Sequence, residues 1–137
     1  MFKQKEGEMT TEKKECNPVA WFEIPVADMA RAAAFYEAVF RLPVRVEVME
    51  NDTVMGWFPM SESAYGISGA LVKSKGYVPT LGGMVIYFSE SDIDGALDRV
   101  RSNGGNVITG KTDIGKYGFY AWFEDTEGNR IGLHSMS

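Results

Sequence analysis

Among 137 residues the chain has one cysteine, Cys16, and one histidine, His134. A single cysteine excludes an intrachain disulfide, and its place in a charged N-terminal stretch marks it as an incidental thiol. A single histidine excludes a metal centre built from two histidines and a carboxylate within one protomer. Basic residues are also scarce. Fourteen Lys and Arg stand against 19 Asp and Glu, giving a formal net charge of −5 and a pI of about 4.9. Nucleic acid is not expected as a partner, because phosphate contacts need clustered Lys and Arg. No apolar run approaches the roughly 20 residues of a membrane helix, and the N-terminal stretch lacks the apolar core of a signal peptide. Neither membrane association nor export is expected, and the expected location is cytoplasmic. A Walker loop, a dinucleotide-binding glycine motif and a Cys-x-x-Cys pair are absent.

Apolar residues make up 45% of the chain, enough to fill the core of one domain or of two small modules that share one. Residues 1–16, MFKQKEGEMTTEKKEC, mix Lys and Glu with no apolar period and read as a mobile tail. From residue 17 onward the pattern is periodic. Val19–Val26 is apolar, with aromatic and β-branched residues, and predicts a strand. Asp28 is placed to cap a helix through Phe40, whose Met29, Ala32, Ala33, Tyr36 and Phe40 recur at helical spacing. The helix should end before Pro43, with Arg41 read as a surface residue at a small backbone cost. Strands are predicted at Val44–Met49, Thr53–Phe58 and Ser68–Lys73.

A shift of 64 residues repeats the order. Met84–Phe88 predicts a strand and Ser91-Asp92 a helix cap. The helix that follows closes on Gly104-Gly105, and strands are predicted at Asn106–Thr109, Phe119–Glu124 and Arg130–His134, the last two joined by the turn at 125–129. Phe22 and Ile24 match Ile86 and Phe88, Asp28-Met29 matches Asp92-Ile93, and Trp57-Phe58 matches Trp122-Phe123. Farther on, Gly69-Ala70-Leu71 matches Gly132-Leu133 after a two-residue drift. Two β-α-β-β-β units therefore account for residues 17–135: module 1 at about 17–74, a linker at 75–80 and module 2 at about 81–135.

The segments WFEIPVADMARAAAFYEAVF, GGMVIYFSESDIDGALDRVRSNGG and FEDTEGNRIGL resemble the vicinal oxygen chelate superfamily of glyoxalases, bleomycin-resistance proteins and extradiol dioxygenases. The opening segment and the DTEGNRIGLHS ending are similar to a glyoxalase-related subgroup of unknown activity. The resemblance implies an α+β fold in which two βαβββ modules curl a mixed sheet into a cup around a small ligand, commonly with a divalent metal. It also implies pairing into dimers, and a homodimer is expected. The family's metal ligands should fall near Trp21, Gly69, Val85 and Gly132, none of which offers a side-chain donor. No metal and no other cofactor is expected, and standard glyoxalase I chemistry is not supported.

Strand alternation sends Trp21 and Glu23 into the cup, with Phe22, Ile24 and Val26 under the helix. Val85 and Tyr87 follow the same rule, as do Gly132 and His134. Glu23 and His134 are thus the candidate catalytic or binding groups, each two residues from a vacated ligand position. The plainer readings are a solvated strand-edge charge for Glu23 and a half-exposed side chain near the C-terminus for His134. Trp21, Tyr87 and Tyr77 complete the candidate ligand-binding set, Tyr77 because it lies in a Gly-Tyr-Val-Pro linker able to close over the cup. Trp57, Tyr120 and Trp122 could extend an aromatic wall, although the facing of Trp57 is undetermined. The expected partner is a small-molecule ligand, met by a binder or a metal-free enzyme. Two other readings stay open: a metal-dependent lyase, isomerase or dioxygenase with displaced ligands shared across a dimer, and a non-catalytic interaction domain with a filled cup.

Overall fold

The computed structural model describes residue 15 and residues 17–137. Apart from Glu15, the expected tail at 1–16 lies outside the described residues. The first module runs β1 (Phe22–Pro25), α1 (Met29–Phe40), β2 (Arg45–Val48), β3 (Val54–Trp57) and β4 (Gly69–Lys73). The second runs β5 (Ile86–Ser89), α2 (Ile93–Ser102), β6 (Asn106–Asp113), β7 (Phe119–Glu124) and β8 (Arg130–Ser135), with one 3-10 turn at Gly115–Tyr117. Each module folds into a four-stranded mixed sheet, ordered β1-β4-β3-β2 and β5-β8-β7-β6. In both, the first strand lies parallel to the last and the other neighbours are antiparallel. The duplication read in the sequence is therefore a duplication of topology. Among the described residues no helix is long and apolar enough to cross a membrane.

Local chemistry sets the element ends. Asp28 accepts from the Arg31 amide at 3.1 Å and Asp92 from the Gly95 amide at 3.0 Å, so each helix begins on a carboxylate cap. Helix α1 ends at Arg41 with φ 55° and ψ 49°, a left-handed conformation that costs a non-glycine residue about 1–2 kcal/mol. Strand β6 extends to Asp113, four residues past the expected end. Its register with β7 shifts between Val107 and Thr109 and again between Thr109 and Thr112. Such irregularities interrupt the alternation by which a strand is recognised while letting it keep its partner.

Both helices cover one face of the sheets. Ile24, Val26, Tyr36, Leu71, Ile93, Phe123 and Leu133 belong to one continuous core drawn from both modules. Phe88 links them directly, stacking on Phe40 at 4.3 Å between ring centres and meeting Phe22 edge-on at 5.6 Å. Phe35 and Val39, outside the expected α1 stripe, are also buried. Phe35 packs on Phe123 of the other module, so α1 has two faces to satisfy. Among the described residues the opposite side of each sheet, its open face, carries no helix.

The turn at 125–129 fastens the modules together. Asp125 is 3% exposed. It accepts from the Tyr36 hydroxyl at 2.7 Å and from the Glu127 and Asn129 amides at 2.8 and 2.9 Å. Asn129 donates to the Pro25 carbonyl at 2.7 Å and accepts from the Thr80 amide at 3.1 Å. Glu127 accepts from the Ala27 and Asp28 amides, both at 2.9 Å, and from Arg31 Nε at 2.8 Å. A carboxylate there meets the unpaired amides that open α1.

This placement predicts acid sensitivity. Burial pushes the Glu127 carboxyl up, but the bonds from Arg31, the Asp28 amide, Thr126 and the Ala27 amide outweigh it and lower its pKa from 4.5 to about 2. A depressed folded-state pKa gives stability that is complete above the unfolded value and lost as pH falls through the folded one. The melting temperature should therefore drop between pH 4.5 and about 2, and Glu127→Gln should remove this part of the acid limb. Thermal melts at stepped pH check it; an equally steep limb in the variant would contradict it.

Candidate functional site

The open face of the second sheet is built from two rows of side chains. Strand pairing sets Tyr87 opposite Gly132 and Ser89 opposite His134, and sets Trp122 opposite Gly132 and Tyr120 opposite His134. One row is thus Tyr87, Gly132, Trp122, and the next Ser89, His134, Tyr120. Gly132 is the gap in this surface, and the Tyr87 ring lies across it: a β-carbon at Gly132 would collide with Tyr87 Cδ1. Trp122 Nε1 donates to the Tyr87 hydroxyl at 2.8 Å, and Tyr120 meets Trp122 edge-on at 5.7 Å. His134 Nε2 donates to the Tyr117 carbonyl at 2.7 Å, so in the neutral ring Nδ1 is the acceptor. The Arg130 guanidinium stands 4.7 Å from the centre of the Trp122 ring. Tyr65, from the loop between β3 and β4, and Ile114 complete the walls of a cavity of about 510 Å³ with Tyr87, Ser89, Tyr120, Trp122 and His134.

The first sheet carries a second cluster on its open face. Met55, Ala70 and Val72 form a small apolar base against which Trp21 and Trp57 pack. The two indoles stand 5.9 Å apart at 54°. This settles the facing of Trp57: it lies on the open face, and Phe58 lies in the core. Glu23 accepts from Trp21 Nε1 at 3.3 Å and from the Tyr77 hydroxyl at 2.7 Å. The bond to Glu23, followed by the charge of Glu23 and burial, raises the Tyr77 phenol above its ordinary value, so Tyr77 stays a donor. The contact of the linker tyrosine is Glu23.

Glu23 and His134 are held by separate partners. No hydrogen bond joins them among the described residues, so these two candidate groups are not paired in this structure. Tyr87 and His134 share one cavity, while Trp21, Glu23 and Tyr77 share the other cluster. Ser89 was missed by the sequence reading although it lies two residues beyond Tyr87, where alternation puts it on the same face. Tyr65 sits in an irregular loop, where no period marks it.

The metal-ligand positions need one correction. Gly69 pairs with Phe22 on the helix side, where an added β-carbon would meet the Phe22 carbonyl and ring. The open-face residue is Ala70, opposite Trp57 as Gly132 is opposite Trp122. The longer loop after Phe58 displaces the count by one. Trp21, Ala70, Val85 and Gly132 contain no nitrogen, oxygen or sulfur donor suited to a divalent metal. Among the described residues no group of three His, Cys, Asp or Glu is arranged to hold one. The residues at the family's metal positions do not fit such an ion.

Paired βαβββ modules with a shared core and side-chain-lined open faces define a class of scaffold that carries many chemistries. The chain belongs to the Glyoxalase/Bleomycin resistance protein/Dioxygenase superfamily, whose family model matches residues 19–133. No curated protein matches it. Similar solved structures include hypothetical protein SA1046 from S. aureus, with 18% identity, TM-score 0.60, and 88% of this chain and 95% of that one covered. A glyoxalase I mutant from Zea mays shares 16% identity at TM-score 0.66 over 87% of this chain and 47% of the maize chain. TnmS3, an antibiotic binding protein from Streptomyces sp. CB03234, shares 22% identity at TM-score 0.60 over 91% of this chain and all of that one. At these identities the likeness is one of fold.

Proposed function

We propose that this chain binds a small, flat aromatic compound bearing hydroxyl or carbonyl groups, on the open face of its second sheet and without a metal. The observation that carries the reading is the 510 Å³ cavity lined by the aromatic Tyr65, Tyr87, Tyr120 and Trp122 together with Ser89, Ile114 and His134. Its size lies in the range of small-molecule sites, and its make-up, aromatic with a few converging polar groups, matches them. Aromatic walls favour a ring that can stack or meet them edge-on. The phenol hydroxyls, Ser89 and His134 supply donors and acceptors for the rim of such a ligand. That TnmS3 is an antibiotic binding protein adds support for binding rather than catalysis on this fold. The metal-free enzyme alternative would need Glu23 and His134 to act together, and their separate partners favour a binder. The proposal takes the two modules as one binding unit, active in the cytoplasm as a homodimer. Pairing would cover β2, an edge strand whose Val46 and Val48 are 49% and 76% exposed, and such edges are commonly protected by association.

Calorimetric titration with hydroxylated naphthalenes in the presence of EDTA tests the reading. Saturable binding is expected, unchanged by the chelator and weakened roughly tenfold or more by Trp122→Ala or Tyr87→Ala, each of which removes an aromatic wall. Absence of binding, or binding that both variants retain in full, would overturn it.

A further inference from the structure

The open face of the first sheet contains the same unit twice, once completed and once not. Trp57 Nε1 donates to Glu47 Oε1 at 3.0 Å, and Trp21 Nε1 donates to Glu23 Oε2 at 3.3 Å. Each unit is an indole whose N–H holds a carboxylate beside it. In the first unit a cation is present. Arg45 bonds Glu47 at 3.2 Å, and its guanidinium lies 5.7 Å from the centre of the Trp57 ring. In the second, among the described residues, Glu23 receives only neutral donors, the Trp21 N–H and the Tyr77 hydroxyl. Among the described residues no Lys or Arg forms an ion pair with Glu23, and none stands over Trp21.

We propose that Trp21, Glu23 and Tyr77 form a binding site for an organic cation, an alkylammonium or guanidinium group, in which the ligand takes the place that Arg45 fills beside Trp57. Two neutral donors leave lone pairs on the Glu23 carboxylate free to accept further bonds. They also fix its orientation, so a ligand does not have to order it. The Trp21 face attracts a cation through the ring quadrupole, and Trp57 at 5.9 Å supplies a second apolar wall. Tyr77, from the linker between modules, orients the carboxylate and carries no charge of its own. This site is separate from the cavity over the second sheet and does not rest on the reading given for that cavity.

The probes are tetramethylammonium and methylguanidinium, set against their neutral counterparts tert-butanol and N-methylurea. The readout is the indole N–H resonances of the three tryptophans in the full-length ¹⁵N-labelled protein. The cations should shift Trp21 saturably and the neutral compounds should not. Glu23→Gln, which keeps the shape and loses the charge, should weaken cation binding roughly tenfold or more, in line with a charge-assisted contact at a partly solvated site. Tyr77→Phe should weaken it by less, and both variants should melt near wild type. Equal shifts with the neutral compounds, an unaltered affinity in Glu23→Gln, or no saturable shift at Trp21 would each overturn the proposal. Cation binding at Trp21 without aromatic binding at Trp122, or the converse, shows which of the two sites has failed.

Discussion

Asp125→Ala is expected to be among the most destabilising single changes in this protein, costing roughly 3–5 kcal/mol. The carboxylate is buried and receives the Tyr36 hydroxyl, two backbone amides and the Asn129 side chain. Alanine would leave a fully buried phenol and at least one buried amide without partners, and each such group costs about 1–3 kcal/mol. Burial, then the neighbouring Asp125 charge and bond, pushes the Tyr36 phenol well above its ordinary value, so it remains protonated and in need of an acceptor. Tyr36→Phe removes donor and demand together and should cost only about 1–2 kcal/mol. For a domain of this size the Asp125 variant should melt roughly 10–20 °C below wild type. Thermal and denaturant unfolding of both single variants and the double variant provide the check. A loss under about 1 kcal/mol in Asp125→Ala would show that the turn does not fasten the modules.

The second large effect is expected at Gly132, near which the family resemblance places a metal ligand. Gly132→Glu should not restore a metal centre, because Trp21, Ala70 and Val85 offer it no companion donors. It should instead collide with the Tyr87 ring, whose Cδ1, Cε1 and Cγ all lie within 3 Å of the added β-carbon. Tyr87 would have to leave its rotamer and give up the bond from Trp122, at a cost of about 1–3 kcal/mol. The binding surface would be lost with it. Tyr87→Ala in the same chain should recover much of the stability and none of the aromatic binding. Melting curves and calorimetric titration with Zn²⁺ and Ni²⁺ follow both outcomes. Tight one-to-one metal binding by Gly132→Glu, with no loss of stability, would contradict this picture.

The architecture was legible because hydrophobic periodicity and helix caps recur in the same order, and a repeat constrains ten elements at once. The helix-facing residues Ile24 and Phe88 followed from simple alternation. Alternation failed where two neighbours suit either face: Trp57 and Phe58 are both large and aromatic, and only packing against Trp21 and pairing with Ala70 assign Trp57 to the open side. It failed at Gly69 for a different reason, since glycine carries no polarity to mark its face and the preceding loop changes the count. The roles of Asp125, Glu127 and Asn129 were hidden because a sequence of turn-forming residues looks the same whether it is solvated or clasps a distant helix. The separation of Glu23 from His134 depends on tertiary contacts to Tyr77 and Tyr117, which no local pattern encodes.

The most direct test of the central claim, metal-independent aromatic binding on the second sheet, is an NMR titration of the ¹⁵N-labelled protein with a dihydroxynaphthalene in EDTA. With three tryptophans in the chain, each indole N–H reports on a known place. The resonance of Trp122, whose N–H is bonded to Tyr87, should move saturably while those of Trp21 and Trp57 stay in place. A Trp122 signal that does not move, or that moves only once a divalent metal is supplied, would contradict the account.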